Sequence, residues 1–399
     1  MCNAMSIAVI VHALIRYVNP KCRELGSRTG KHHWPGFLFG GPASSRFTLT
    51  CHGLRTMLSD KNAIIHGTGL MGASIGLGLT ANGWTVSGWD PEPAAAATAL
   101  GRGAITSVLT DPFEGLDRAD LLVLAGPPRA TLETLESLDT DVLVTDITSV
   151  KTPIVGVGRG LSRFVPGHPM AGSASSGAEH ASAHLFHGAS WVLCDDLANT
   201  TDIEEVKTIV RALGANPVVM SASSHDERVA LVSHLPRLLA SILIQMTSDN
   251  PGASELSAGS FRDLTRVAGS DANWWTDVFL ANRDAMDRVI GQVQELLGQR
   301  RHDITAGDSA AVNEHLSTTA EARAKLGAPV AAVRVILFDK PGEIGLVGRS
   351  LEKSGVDLRD LQLRHAEYGG GGVLTLSVGV EEAGRLRDAL TEHGFELEE

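Results

Sequence analysis

Between Ala63 and Asp90 the chain reads AIIHGTGLMGASIGLGLTANGWTVSGWD, and few folds accommodate that order of residues. A short apolar run, Ile64 and Ile65, leads into Gly67-Thr68-Gly69-Leu70-Met71-Gly72; a helix-length segment closes at Gly83, and Trp84 to Trp89 reads as a second strand ending at Asp90. Gly67 permits the tight turn off the strand, Gly69 lets the backbone approach an anion with no Cβ in the way, and Gly72 lets the helix pack on the strand. The free N–H groups of the helix's first turn face the same point. Asp90, 18 residues past Gly72, is placed to accept ribose hydroxyls. A lone GxGxxG says little, but strand, helix, second strand and acid in register point to a dinucleotide. Asp90 points to NAD over NADP, whose 2′-phosphate it would repel.

The alternation continues. Pro93 to Leu100 reads as an alanine-rich helix, Asp120 to Ala125 as a third strand, Glu133 to Leu138 as part of a helix, and Asp141 to Asp146 as a fourth strand. Apolar runs of this kind suit parallel strands covered on both faces, so the first domain is expected to be a doubly wound α/β sheet of the Rossmann type. Ligands of such sheets bind beyond the carboxyl ends of the strands. There the sequence places Asp146-Ile147-Thr148-Ser149-Val150-Lys151 after the fourth strand and Gly167-His168-Pro169 in a loop after a fifth. A histidine in that position suits acid or base work near neutral pH.

A net charge of −12 argues against a nucleic-acid partner, which needs a basic face. The four cysteines, at 2, 22, 51 and 194, have neither CxxC nor metal-ligand spacing, so free thiols in a reducing, cytoplasmic compartment and no metal are expected. No apolar run in the sequence reaches the length of a membrane span. Residues 1–56 differ from the remainder, with seven Lys or Arg against Glu24 alone. They read as an upstream extension outside the functional fold, with Met57 as the start of a strand-first domain.

GTGLMG, DITSVK and GHPMAG, followed by SHLPR and FRDLTR, resemble in order the motifs of prephenate and arogenate dehydrogenases of tyrosine biosynthesis. The resemblance runs from about Ala63 to the C-terminus. It implies NAD-linked oxidative decarboxylation of a cyclohexadienol, prephenate or arogenate, by a homodimer whose second domain is helical. His168 is then the catalytic group, with Ser149 hydrogen-bonding the substrate hydroxyl or the imidazole, and Lys151 supporting the loop electrostatically.

Ser190 to Cys194 reads as a transitional strand, and Ile203 to Leu213 as a helix stopped by Gly214. Ser224-His225-Asp226-Glu227 has the form of a capping box opening a long helix through His234, with a kink expected at Pro236. Arg237 stands where the family carries a second histidine. In Gly259 to Arg266, Asp263 and Arg266 are three apart, adjacent across one helical turn. By resemblance Arg266 clamps a substrate carboxylate, Asp263 holds the guanidinium, and Gly259, His234 and Trp275 complete the substrate set. From Asp271 a single helix with a wide apolar stripe is expected to reach Leu297.

After Gly327-Ala328-Pro329 the order strand, helix, two strands, helix and strand is the ferredoxin-like split motif. With DKPGEIG after the first strand it resembles an ACT regulatory module, which implies an amino-acid effector near Asp339, Gly342 and Ile344. The expected boundaries are an extension at 1–56, the nucleotide domain at 57–198, the helical domain at 199–326 and the regulatory module at 330–399. Two other readings fit parts of the chain. One is a different dehydrogenase of the 3-hydroxy-acid type, which an assay with short hydroxy acids separates. The other is a catalytically silent amino-acid sensor, which any turnover excludes and which intact Ser149, His168 and Arg266 oppose.

Overall fold

The computed structural model describes residues 61–172, 175–250, 252–269, 271–325, 330–338, 340–365 and 372–398. Two compact units account for them, one within 39–298 and the other from 299 onward.

In the first unit, β1 (Asn62–His66), α1 (Leu70–Ala81), β2 (Thr85–Trp89), α2 (Pro93–Gly101), β3 (Ser107–Val108), β4 (Leu121–Leu124), α3 (Pro128–Ser137), β5 (Leu143–Asp146), α4 (Thr152–Val157) and β6 (Phe164–Val165) follow in order. The six strands form one parallel sheet in the order β3-β2-β1-β4-β5-β6. This is the doubly wound arrangement that the alternating runs predict. Successive side chains of each strand serve opposite faces: Ile65, Val86, Leu121 and Val123 enter one core, whereas Ile64, Leu122, Leu124 and Val144 enter another. The two-residue β3 is too short to show as an apolar run, so strands counted from the sequence fall one behind the structure.

A second, three-stranded sheet follows, made of β7 (Gly167–Pro169), β8 (Ser190–Cys194) and β9 (Asn216–Met220) in that order. The segment holding His168 is therefore not a loop: His168 pairs with Val192 in an antiparallel ladder. Between β8 and β9 lies α5 (Thr200–Ala212), capped by the Asn199 side chain. Its Ile203, Val206, Ile209 and Val210 join the core that contains β1 and β4. The helical part thus begins after β9, not at residue 199, because α5 has its apolar face on the first sheet's core.

The helical part comprises α6 (Ala222–Val229), a π-helical turn at Ala230–His234, α7 (Leu235–Ser248), α8 (Gly259–Thr265), α9 (Ala272–Ala281) and α10 (Arg283–Ala306). Three expectations need correction here. The cap of α6 is Ser221, whose hydroxyl accepts from Ser224 N–H, so Ser224 to Glu227 lie inside the helix and are not its capping box. Pro236 lies inside a continuous helix, and a wide π turn at Ala230–His234 ends just before it, where the ladder bond that proline cannot make is missing. The expected single helix from Asp271 is broken at Asn282. One continuous stretch, Ala222–Ser248, is also long and apolar enough to cross a membrane, contrary to the sequence expectation. Its inward side carries His225, Asp226, His234 and Arg237, all buried, whereas Leu231, Val232 and Met246 lie exposed on the outside.

In the second unit, α11 (Ser309–Ala324) precedes β10 (Val330–Leu337), α12 (Glu343–Ser354), β11 (Leu358–His365), β12 (Gly372–Gly379), α13 (Ala383–Glu392) and β13 (Leu397–Glu398). The antiparallel order β11-β12-β10-β13 is the ferredoxin-like arrangement, and Val333, Val335, Leu374, Leu376, Val347 and Leu386 form its core with both helices.

Candidate active site

The turn after β1 meets the steric demands of a dinucleotide. Gly67 has φ +88°, and a Cβ there would come within 2.7 Å of the Ala125 backbone. At Gly72 a Cβ would sit 1.9 Å from the Gly67 carbonyl, so the helix can start only where it does if this residue is glycine. Nothing lies within 4 Å of a Cβ position at Gly69, and no side chain caps α1, which leaves its first N–H groups facing open space. Leu70 and Met71 form that first turn, with Met71 packed on the core. Asp90 Oδ2 accepts from Thr68 N–H (2.7 Å) and the Thr68 hydroxyl (3.2 Å), and Oδ1 accepts from Glu92 N–H (2.9 Å). Thr68 is fully buried and acts through Asp90, fixing the carboxylate at the end of β2.

At the carboxyl end of β5, Asp146 and Lys151 are both entirely buried. Lys151 Nζ donates to Asp146 Oδ2 at 2.5 Å and to the Gly167 carbonyl at 2.6 Å; Asp146 also accepts from Thr148 N–H and hydroxyl and from Gly167 N–H. Lys151, wholly buried, ties the loop after β5 to the strand that carries His168 and so has no face open to a substrate.

His168 is half-buried, and its Nδ1 lies 2.8 Å from His225 Nε2; His225 Nδ1 lies 2.8 Å from Asp226 Oδ1. The ring partner of His168 is therefore His225, not Ser149, which is buried in the loop after β5. Asp226 accepts from Lys151 N–H (2.8 Å) and Thr152 N–H (2.7 Å) as well, so one carboxylate joins α6 to the start of α4. Burial works against its charge, but the bonds from His225, Thr152 and the Lys151 N–H prevail and hold its pKa below the usual carboxylate value. His168 is pushed well below the ordinary histidine value, first by burial and then by His225, Lys151 and His234, which makes it a neutral base at pH 7.

A second cluster adjoins this chain. The Asn282 amide donates to the Asp226 carbonyl (2.9 Å) and to His234 Nδ1 (3.2 Å). His234 is buried at the end of the π turn, its pKa lowered by burial to about 4, so it is neutral with its proton on Nε2. Its ring meets Trp275 and Phe279 edge-on, and the buried Arg237 guanidinium stacks 5.7 Å from the Trp275 ring. Gly259 opens α8, and the turn after it, Arg266–Gly269, packs against the helix that bears Arg237. Asp263 and Arg266 are both exposed, and among the described residues no ion pair joins them. In the second unit Gly342 (φ +93°) caps α12 and Ile344 packs on the core, whereas Asp339 lies outside the described residues.

His225, Asp226 and Asn282 are the members of this constellation that sequence reasoning missed. The adjacent His-Asp pair nine and eight residues before His234 was the available signal for the first two. Asn282 interrupts an apolar stripe and carries a signal only as a helix stop.

A glycine-turn dinucleotide fold, followed by a helical part that carries a buried network of histidine, aspartate and asparagine, defines a nicotinamide-dependent dehydrogenase. Residues 75–219 match the family model described as prephenate dehydrogenase, nucleotide-binding domain, and residues 221–318 that described as prephenate dehydrogenase, dimerization domain. The prephenate dehydrogenase of Lactococcus lactis is 35% identical over 271 residues, covering 64% of this chain and 74% of the relative. The A. aeolicus prephenate dehydrogenase structure with hydroxyphenyl propionate and NAD+ matches at a TM-score of 0.63 and 28% identity, over 67% of this chain and 99% of that one. Synechocystis arogenate dehydrogenase matches at 0.60 and 27%, over 67% and 100%. The chain belongs to the prephenate dehydrogenase family.

Proposed function

We propose that this protein is a prephenate dehydrogenase, converting prephenate to 4-hydroxyphenylpyruvate with NAD, and that His168 is its base. The observation that carries the assignment of roles is the His168 ring held at 2.8 Å by His225, next to Gly167, whose carbonyl Lys151 ties to the end of β5, with a second neutral imidazole, His234, in the same network. NAD supplies a hydride acceptor when bound; Gly67, Gly69 and Gly72 leave room for its pyrophosphate and Asp90 suits its ribose. His168 accepts the hydroxyl proton as the oxygen takes on carbonyl character. Ser149 contacts that hydroxyl, and His234 donates from Nε2 to the substrate with Trp275 as the pocket wall. Arg266 binds a carboxylate, and Asp263 and Gly259 shape its approach.

The same reading includes a homodimer built on the helical part, supported by the exposed apolar residues Leu231, Val232 and Met246 and by the match to a dimerisation domain. It includes an ACT-type role for residues 330–399, with an amino-acid effector near Asp339, Gly342 and Ile344, supported by the ferredoxin-like topology. A cytoplasmic setting rests on the cysteine pattern, with Cys194 a buried thiol whose pKa burial pushes up to about 12.

The test is NADH formation with prephenate, arogenate and short 3-hydroxy acids, each with and without tyrosine. Prephenate should turn over with NAD and far more slowly with NADP; equal rates with both cofactors would remove the role of Asp90. Turnover of a short hydroxy acid alone would replace the assignment. In the same assay Arg266→Ala should raise KM for prephenate by about tenfold or more with a smaller change in kcat, as loss of a charged hydrogen bond to substrate predicts. An unaltered KM would reject the clamp.

A further inference from the structure

We propose that His225 and Asp226 are positioning residues for the reaction: through hydrogen bonds in series they leave His168 Nε2 without a proton and balance the charge on His168 while it holds one. This rests on the reading of His168 as the base.

Proton placement along the chain follows from its end. Asp226 accepts from His225 and two backbone N–H groups, so as a carboxylate it has no proton to give. The proton between it and His225 is therefore on His225 Nδ1. With one proton on each ring, His225 keeps its lone pair at Nε2, and across the 2.8 Å contact His168 Nδ1 is then the donor. The remaining nitrogen of His168, Nε2, is thus the free lone pair, and it is the one available to a substrate hydroxyl. Asp226 is itself held by Lys151 N–H and Thr152 N–H, and its carbonyl by Asn282, so the chain has a rigid origin. Folding alone does not call for the outer half of it: Asp226 meets the start of α4 without help from the His225–His168 contact.

The reaction's balance gives the chain a second use. Bound NAD would supply the acceptor for the hydride lost from C4, while the C1–carboxylate bond breaks with its electron pair entering the ring. CO2 departs, and the hydroxyl proton passes to His168 Nε2 and returns to the phenolate oxygen. No net proton is released, so His168 must hold a proton briefly and give it back. A half-buried imidazolium is still costly, and charge-assisted hydrogen bonds toward Asp226 offset that cost.

His225→Leu and His225→Gln separate the role from packing, because the Gln amide can accept from His168 and donate to Asp226 in place of the ring. His225→Leu should lower kcat about fiftyfold or more, with NAD affinity and KM for prephenate within about threefold, whereas His225→Gln should recover most of the lost kcat. Combined with His168→Asn, His225→Leu should add almost nothing, since the two act as one unit. Near-normal kcat in His225→Leu, equal losses in both variants, or additive losses in the double variant would overturn the proposal. Should the Leu variant not fold, His225→Ala with and without added imidazole replaces it: restored kcat supports the role, and no restoration overturns it. If His168→Asn is inactive while His225→Leu is active, only the relay fails; if His168→Asn is itself active, the assignment of the base fails.

Discussion

His168→Asn should lower kcat by about a hundredfold or more while leaving NAD affinity unchanged. The size follows from what is lost: Asn keeps a polar group of similar reach on β7 but has no basic nitrogen for the hydroxyl proton. The separation of kcat from cofactor binding follows from position, because His168 belongs to the second sheet and the pyrophosphate turn to the first. The pH profile offers an independent check. The pKa of His168 lies well below its ordinary value of 6.5, so the neutral, active form persists as pH falls through 6.5, and the acid limb of kcat/KM should lie beneath that point. Stopped-flow or steady-state NADH formation measures both quantities. A near-normal kcat, or an acid limb centred at 6.5 or above that vanishes in no variant, would remove His168 from the role of base.

Legibility in the sequence varied with the range of the interaction that fixes each part. The turn from Gly67 to Asp90 was readable because its requirements are local: a positive φ, a missing Cβ and an acid at a strand end all lie within one βαβ unit. The ferredoxin-like order of the second unit was readable for the same reason. His168 was legible as a residue but not as part of a strand, since three residues between Gly and Pro make no period and the pairing with Val192 crosses the chain. His225 and Asp226 were hidden by a local pattern that fitted too well: SHDE satisfies the spacing of a cap, while the actual cap, Ser221, lies three residues earlier. Their true partners, His168, Lys151 and Thr152, are dozens of residues away. Arg266 and Asp263 show the opposite case, a pair three apart across one helical turn whose side chains are both exposed and form no ion pair among the described residues, because solvated charges gain little from pairing.

Lys151→Met should destabilise the first unit by about 3–5 kcal/mol, the range seen when one partner of a buried ion pair is removed. Methionine has nearly the volume of lysine's stem, so a packing defect is not the main term. What remains is Asp146, wholly buried, with neutral donors from Thr148 and Gly167 but no cation, and a Gly167 carbonyl that has lost its 2.6 Å donor. An exposed pair gives the contrast: Arg129→Met, which breaks the solvent-facing Arg129–Glu133 contact on α3, should cost at most about 1 kcal/mol. Urea unfolding followed by tryptophan fluorescence compares the two, with Trp84 and Trp191 buried in the same unit as reporters. Activity should fall as well, because the carbonyl that Lys151 holds belongs to the residue before His168; kcat should drop while Asp90 and the glycine turn still bind NAD normally. Equal, small losses of stability in the two variants would mean that Asp146 is adequately solvated by its neutral donors and that Lys151 does not secure the base.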